Sequence, residues 1–376
     1  MTQQQVPVNI GVINPYALAE VVLRRKINWK RITSPRKFLE KTLEVPYEKL
    51  FDPRNESPLY VGLRLDPRSM VMERAEMLPS NQASFKALTE VRASTVWIDP
   101  GDFFEECTEL TDPVQGALGD CYFIAALSSI AWARPYVIAQ RTRATGTGQQ
   151  QFVDMIEFFS GGKAEKVDVT ELLPLQSPAN AFIYARSAEA GEIWPAIYEK
   201  AYAKWRTKDT GDQPNYAPIA GGDPVAALSQ LTGLSPFYIW NTSLSAHDLW
   251  QKIRGNCISY KTFNPMVAWT YSTSPNPNVN YNNAHLVANH AYSLLGWAYI
   301  DSQEFVILRN PWGTYEATLN IANMTWTAWD QPYYSSGRGY WRPIPMANND
   351  GIFGLRADTF KDYFAGFGWV KTPEAP

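Results

Sequence analysis

Residues 121–133, CYFIAALSSIAWA, carry no charge, and from Ala125 to Ala133 the chain is apolar nearly all the way round a helix. Such a helix has no face to give to water, so it must lie centrally, with other elements covering every side. The approach to it is just as specific. Two glycines and an acid precede Cys121 in the stretch QGALGDC. Asp120 is a favoured N-cap residue, and the unpaired N–H groups and dipole at a helix mouth favour the thiolate form of Cys121. If Gly116 and Gly119 let the backbone fold back tightly, the Gln115 amide N–H joins the Cys121 backbone N–H in an oxyanion hole. A cysteine that merely fills a core needs neither the glycines nor the acid.

A thiol nucleophile needs a base, and the chain has three histidines, His247, His285 and His290. His247 precedes Asp248-Leu249-Trp250 at a helix start, where a capping or surface role is expected. His290, in ANHAYSLLGW, stands at the entrance of a strand over Ala291–Ile300. Asn310, in LRNPWG, stands at the exit of the next strand, Glu304–Arg309. An antiparallel hairpin turning near Asp301-Ser302 brings the two together to within a slip of a few residues. Asn310 then accepts a hydrogen bond from the imidazole and holds its tautomer, as in a Cys-His-Asn triad. Pro311 fixes the chain after it, and Trp312 screens that bond from water. His285 is the rival base.

The rest of the chain organises around these pieces. Phe152–Phe159 and Lys166–Val169, joined through Ser160-Gly161-Gly162, read as a hairpin. Glu192–Trp205 reads as a helix with Pro195 in its first turn, and Ala226–Leu231 as a short one. Between them APIAGGDP, with Gly221-Gly222, is the best joint between a helix-rich first half and a strand-rich second. Residues 1–75, broken by prolines such as Pro7, Pro15, Pro35, Pro46, Pro53 and Pro58, read as an appendage with one helix near Pro35–Lys41. The net charge of −3 gives no reason to expect a nucleic-acid partner, and no apolar run reaches the roughly 18 residues of a membrane span. Cys107, Cys121 and Cys257 form no metal spacing, and the N-terminus lacks a basic secretion signal, so a reducing, cytoplasmic location is the default.

Together these residues resemble the calpain family of cysteine proteases. QGALGDC, NHAYSLLG and LRNPWG are similar to its three catalytic blocks. EIWPAIYEKAYAKW, the Gly-Gly joint and the C-terminal DGIFGLRADTFKDYF are similar to further blocks, over roughly residues 95–368. The resemblance implies an α+β, papain-like fold in two subdomains, 76–220 carrying Cys121 and 221–376 carrying His290 and Asn310. It implies protein or peptide substrates, Gln115 in the oxyanion hole, and Trp312 and Gly222 at the substrate cleft.

Calpain cores bind two calcium ions, and the resemblance gives Asp112 and Glu192 as carboxylate ligands of the first, Glu316 and Asp350 of the second. No redox cofactor is implied. This chain departs from the family at Ile352, where a third carboxylate is expected, at Asn323, which replaces another, and at Tyr122, which stands for a Trp. No EF-hand pattern follows, so the expectation is a protease core without C-terminal regulatory domains. The N-terminal segment is a candidate propeptide, arm or inhibitor. The competing functions are a non-catalytic peptide-binding scaffold and a thiol acyltransferase of transglutaminase type.

Overall fold

The computed structural model describes residues 8–23, 25–43, 46, 95–105, 108–141, 143–144, 152–321, 324–330 and 339–372. Helices and sheets are both present in quantity, the α+β class expected. The main helices are α1 (Pro15–Leu23), α2 (Cys121–Ala133), α3 (Trp194–Thr207) and α4 (Pro224–Thr232). Among the described residues no helix is long and apolar enough to cross a membrane.

α2 is buried at every position from Cys121 to Trp132. Fully covering Phe123, Ile124, Leu127 and Ile130 stabilises by roughly 2 kcal/mol each, so this helix is held by its neighbours rather than by propensity. Its few polar groups tie it to the strands beneath. The Ser129 hydroxyl donates to the Met266 carbonyl (2.5 Å) and the Trp132 indole N–H to the Leu295 carbonyl (2.7 Å). The Ser293 hydroxyl returns a bond to the Ala125 carbonyl (2.8 Å).

Those strands belong to a seven-stranded antiparallel sheet. Its members include β1 (Ser235–Trp240), β2 (Lys261–Thr270), β3 (Ala291–Ile300), β4 (Gln303–Arg309), β5 (Ile352–Arg356) and β6 (Phe364–Lys371). The order is β5-β4-β3-β2-β6-β1, with the short strand Cys257–Ile258 also paired to β2. The β3–β4 hairpin turns through Asp301 and Ser302, both at positive φ (48° and 59°), the two-residue geometry that suits strand twist. A bulge between Leu294 and Gly296 moves the pairing by one residue, so that Ser293 faces Arg309. That bulge frees the Leu295 carbonyl region which Trp132 engages.

A second hairpin, Val153–Ser160 with Lys163–Thr170, turns at Gly161 and Gly162. Its second strand starts three residues before the one read from sequence. α3 begins at Trp194, leaving Glu192 in the loop before it. The described N-terminal residues are part of the packed body: Val12, Ile13, Leu18, Ala19, Val21 and Leu39 share one apolar cluster with α2, α3 and α4.

Candidate active site

Cys121 opens α2 with its side chain fully buried. Asp120 occupies the N-cap position, but its side chain makes no capping bond. It turns instead to Glu199 on α3, whose other oxygen accepts from the Ala185 N–H (3.0 Å). Both carboxyls are raised, by burial first; Asp120 is pushed up to about 7 and Glu199 goes well above its ordinary range. Burial also pushes the Cys121 thiol up to about 12, against nearby backbone N–H groups that favour the thiolate. Burial thus opposes the thiolate that the helix mouth favours. Desolvation outweighs the N-terminal N–H groups once the sulfur is sealed from water.

α2 is tied to β3, the strand that His290 enters, by the Ser293–Ala125 bond. His290 is fully buried, and its Nε2 lies 2.9 Å from Asn310 Oδ1. The amide orientation follows from its other end, where Asn310 Nδ2 donates to the Tyr315 carbonyl (3.0 Å). Oδ1 also accepts from the Trp312 backbone N–H (3.1 Å). An acceptor facing Nε2 requires the proton there, which leaves Nδ1 as the basic nitrogen, and Nδ1 has no hydrogen-bond partner. Burial lowers the imidazole to about 3, with the Asn310 bond opposing, so it stands neutral. The Trp312 ring packs 4.9 Å from the His290 ring and covers the His–Asn pair.

Gln115 is held from both sides, its N–H on the Pro311 carbonyl (2.9 Å) and its carbonyl under the Asn14 amide (2.8 Å). Its own amide hydrogens go to the carbonyls of Val12 (2.5 Å) and Leu118 (2.6 Å). The expected oxyanion donor is thus aimed correctly for a carbonyl but already carries one from its own chain. Gly222 exchanges two backbone bonds with Ile10 (2.8 and 2.9 Å). The sequence reading offered the N-terminal segment as a candidate propeptide, arm or inhibitor without saying which of its residues meet the site; Ile10–Asn14 do.

Residues 66–368 match the family described as calpain family cysteine protease. The chain belongs to that family. It is 29% identical over 276 residues to a thiol protease of Porphyromonas gingivalis, an alignment covering 67% of this chain and 53% of that protein. It is 28% identical over 315 residues to calpain clp-4 of Caenorhabditis elegans (77% and 39%). It is 25% identical over 329 residues to human calpain-9 (82% and 44%). The chain therefore spans about half or less of the length of these curated relatives.

The calpain resemblance assigns four carboxylates to calcium, and the two pairs differ in this chain. Asp112 is buried beside Glu192; its Oδ2 accepts from the Glu109 N–H (2.6 Å) and the Trp194 indole (3.1 Å), while Oδ1 has no partner. Burial first, then the charge of Glu192, pushes Asp112 up to about 8. A buried oxygen without a donor, paired with a second carboxylate, is the environment a hard cation relieves, so the first pair fits. The second does not. Glu316 Oε1 accepts from the N–H groups of Asp350 (3.0 Å) and Gly351 (3.2 Å), and Asp350 Oδ1 from that of Ile352 (3.0 Å). Ile352 itself is buried in β5 opposite Arg309, an apolar side chain where an oxygen is needed. Among the described residues no group of three or more His, Cys, Asp or Glu side chains converges as a ligand set. Cys107 and Asn323 lie outside the described residues.

The other calpain expectations sort cleanly. His247 is exposed and pairs with Glu304 (2.6 Å), a surface contact, and Ser245 caps that helix instead. His285 ends a short helical turn and stacks on Tyr315 at 5.2 Å, one ring removed from Trp312. Tyr122, in place of the family Trp, sends its hydroxyl to the Ile219 carbonyl (3.1 Å), and its ring fills the space where a Gly222 Cβ would stand. Arg309 was missed. Buried beside Asn310, it donates to the carbonyls of Pro113 (2.9 Å) and Thr111 (2.8 Å) and to the Ser128 hydroxyl (2.7 Å), which locks β4 to α2 and to the Asp112 loop.

Proposed function

We propose that the chain is a papain-like cysteine endopeptidase in two halves, 76–220 carrying the nucleophile Cys121 and 221–376 carrying His290 and Asn310. The observation that carries this reading is the His290–Asn310 bond, which leaves Nδ1 without a hydrogen-bond partner among the described residues, at the entrance of the strand that is tied to the Cys121 helix. Nδ1 takes the thiol proton, and the sulfur attacks a substrate carbonyl. The negative oxygen is stabilised by the Cys121 N–H and by the Gln115 amide, once that amide has released Val12. The imidazolium then protonates the leaving amine, and water attacks the thioester after activation by the same Nδ1. Trp312 and Asn310 keep the ring plane fixed through both proton transfers.

Asp112 and Glu192 would hold a calcium ion through their carboxylate oxygens, and its positive charge would offset the cost of two buried, adjacent carboxylates. The N-terminal segment restrains activity, because its residues engage Gln115 and Gly222 at once. Digestion of casein by the wild type and by Cys121→Ala, each with calcium and with chelator, tests the reading. Cleavage by the wild type that the variant lacks supports it, and cleavage that persists undiminished in the variant rejects the thiol mechanism. An added primary amine that is incorporated into the product at the expense of hydrolysis favours acyl transfer instead.

A further inference from the structure

We infer that residues Ile10–Asn14 form an uncut strap that occupies the substrate groove and is locked there by Gly11, so that the site opens only when the strap leaves. This deepens the protease reading and rests on it for the identity of the groove. Each group a substrate must engage is already taken by this segment. Ile10 exchanges both backbone bonds with Gly222 as an antiparallel pair, the way an extended peptide adds to an exposed edge. The Val12 carbonyl takes the Gln115 amide at 2.5 Å, between the Ile10–Gly222 pair and the Asn14–Gln115 bond. An oxyanion donor spent on a resident carbonyl cannot stabilise another.

The two ends of the strap are anchored. Asn14 donates to the Gln115 carbonyl and accepts, through its Oδ1, from the N–H of Tyr16 (3.0 Å), capping α1 with Pro15 in its first turn. Tyr16 then meets Trp312 edge-on, with ring centroids 6.2 Å apart. Between the anchors the groove narrows to backbone on both sides. A Cβ on Gly11 would stand 2.6 Å from the Gly119 carbonyl oxygen, and 2.7 and 2.8 Å from the Cα and N of Gly221. Those are main-chain atoms that cannot swing aside. The Gly221 N–H is itself bonded to the Gly119 carbonyl (2.8 Å), which holds the two walls at that separation. Only glycine passes between them. A tethered segment of this kind also competes with free substrate at a high effective concentration, on the order of millimolar.

The test uses the full chain with Gly11→Ala and, separately, Ile10→Pro, which removes the N–H given to Gly222. The readout is the rate of Cys121 alkylation by iodoacetamide, followed by mass spectrometry of the peptide containing it, with Cys257 as internal control. Both variants should react about tenfold faster or more at Cys121 and not at Cys257, since main-chain overlap of this size outweighs the few bonds holding the strap. A synthetic peptide of residues 8–17 should slow the Gly11→Ala variant, and the same peptide with alanine at position 11 should not. Unchanged Cys121 rates in two variants that melt like the wild type overturn the strap. So does N-terminal sequencing that finds the wild type cut within residues 10–14, because the segment is then a substrate and not a lock. Casein separates this from the parent reading. Variants that alkylate fast but cut nothing keep the strap and reject the protease, whereas wild type and variants cutting equally, with equal alkylation, reject only the strap.

Discussion

Replacing Asn310 with alanine isolates the geometry on which the proposed chemistry depends. The side chain makes three hydrogen bonds: it accepts from His290 Nε2 and the Trp312 N–H, and it donates to the Tyr315 carbonyl. All lie in the covered region under Trp312, and buried groups left unpaired cost about 1–3 kcal/mol each, so roughly 3 kcal/mol of stability should be lost. The catalytic loss follows from the tautomer. Without Oδ1, nothing holds the proton on Nε2, Nδ1 is no longer reserved as the base, and the ring plane is free. The expected fall in kcat/KM on a fluorogenic peptide is about a hundredfold or more, carried by kcat rather than KM. Asn310→Asp keeps an acceptor facing Nε2 and should recover part of the rate, which a merely destabilised protein would not. Alanine retaining kcat/KM within about threefold of wild type would refute the orienting role.

Three further outcomes are expected. Arg309→Met removes a buried cation with three partners while filling its volume, and leaves the Thr111 and Pro113 carbonyls bare; Tm should drop by the equivalent of about 3 kcal/mol, measured by calorimetry. Asp112→Asn should abolish any calcium-dependent rise in Tm, while Asp350→Asn leaves it unchanged, since Asp112 Oδ1 is buried without a donor among the described residues, whereas the second pair lacks its third carboxylate at Ile352 and already accepts from backbone N–H groups. The third is pH dependence. The His290 imidazole binds its proton near pH 6.5 in the unfolded chain but only near 3 in the fold. The unfolded state therefore takes up a proton first as pH falls, and stability is lost progressively from about pH 6.5 downward. His290→Gln lacks this titration, so its Tm should fall less steeply with acid than that of the wild type; parallel curves would contradict the burial of a neutral ring.

The parts of the site that are local in sequence were legible, and those made by long-range approach were not. α2 announced itself because thirteen residues without a charge admit only a central position. The His290–Asn310 pairing was legible because a hairpin converts equal spacing from a turn into proximity, and the Leu294–Gly296 bulge changed the register by only one residue. The burial of Cys121 was not legible: a helix mouth favours thiolate most while water or a counter-charge reaches it, and the sequence does not show that this sulfur is fully buried. Arg309 was unreadable because its partners lie some 180 to 200 positions away. The mismatch at Ile352 was visible as a missing carboxylate, but that Glu316 spends an oxygen on the backbone of Asp350 and Gly351 needed the fold.

The decisive measurement traps the acyl-enzyme. An activated peptide ester is mixed with the full chain carrying Gly11→Ala, which displaces the strap, quenched in acid within the first turnover, digested and mapped by mass spectrometry. The acyl group should sit on Cys121 at near one per chain, stay off Cys257, and persist longer when His290 is replaced. An acyl group found elsewhere, or steady turnover of the ester by a chain with alanine at position 121, contradicts the assignment of that sulfur as the nucleophile.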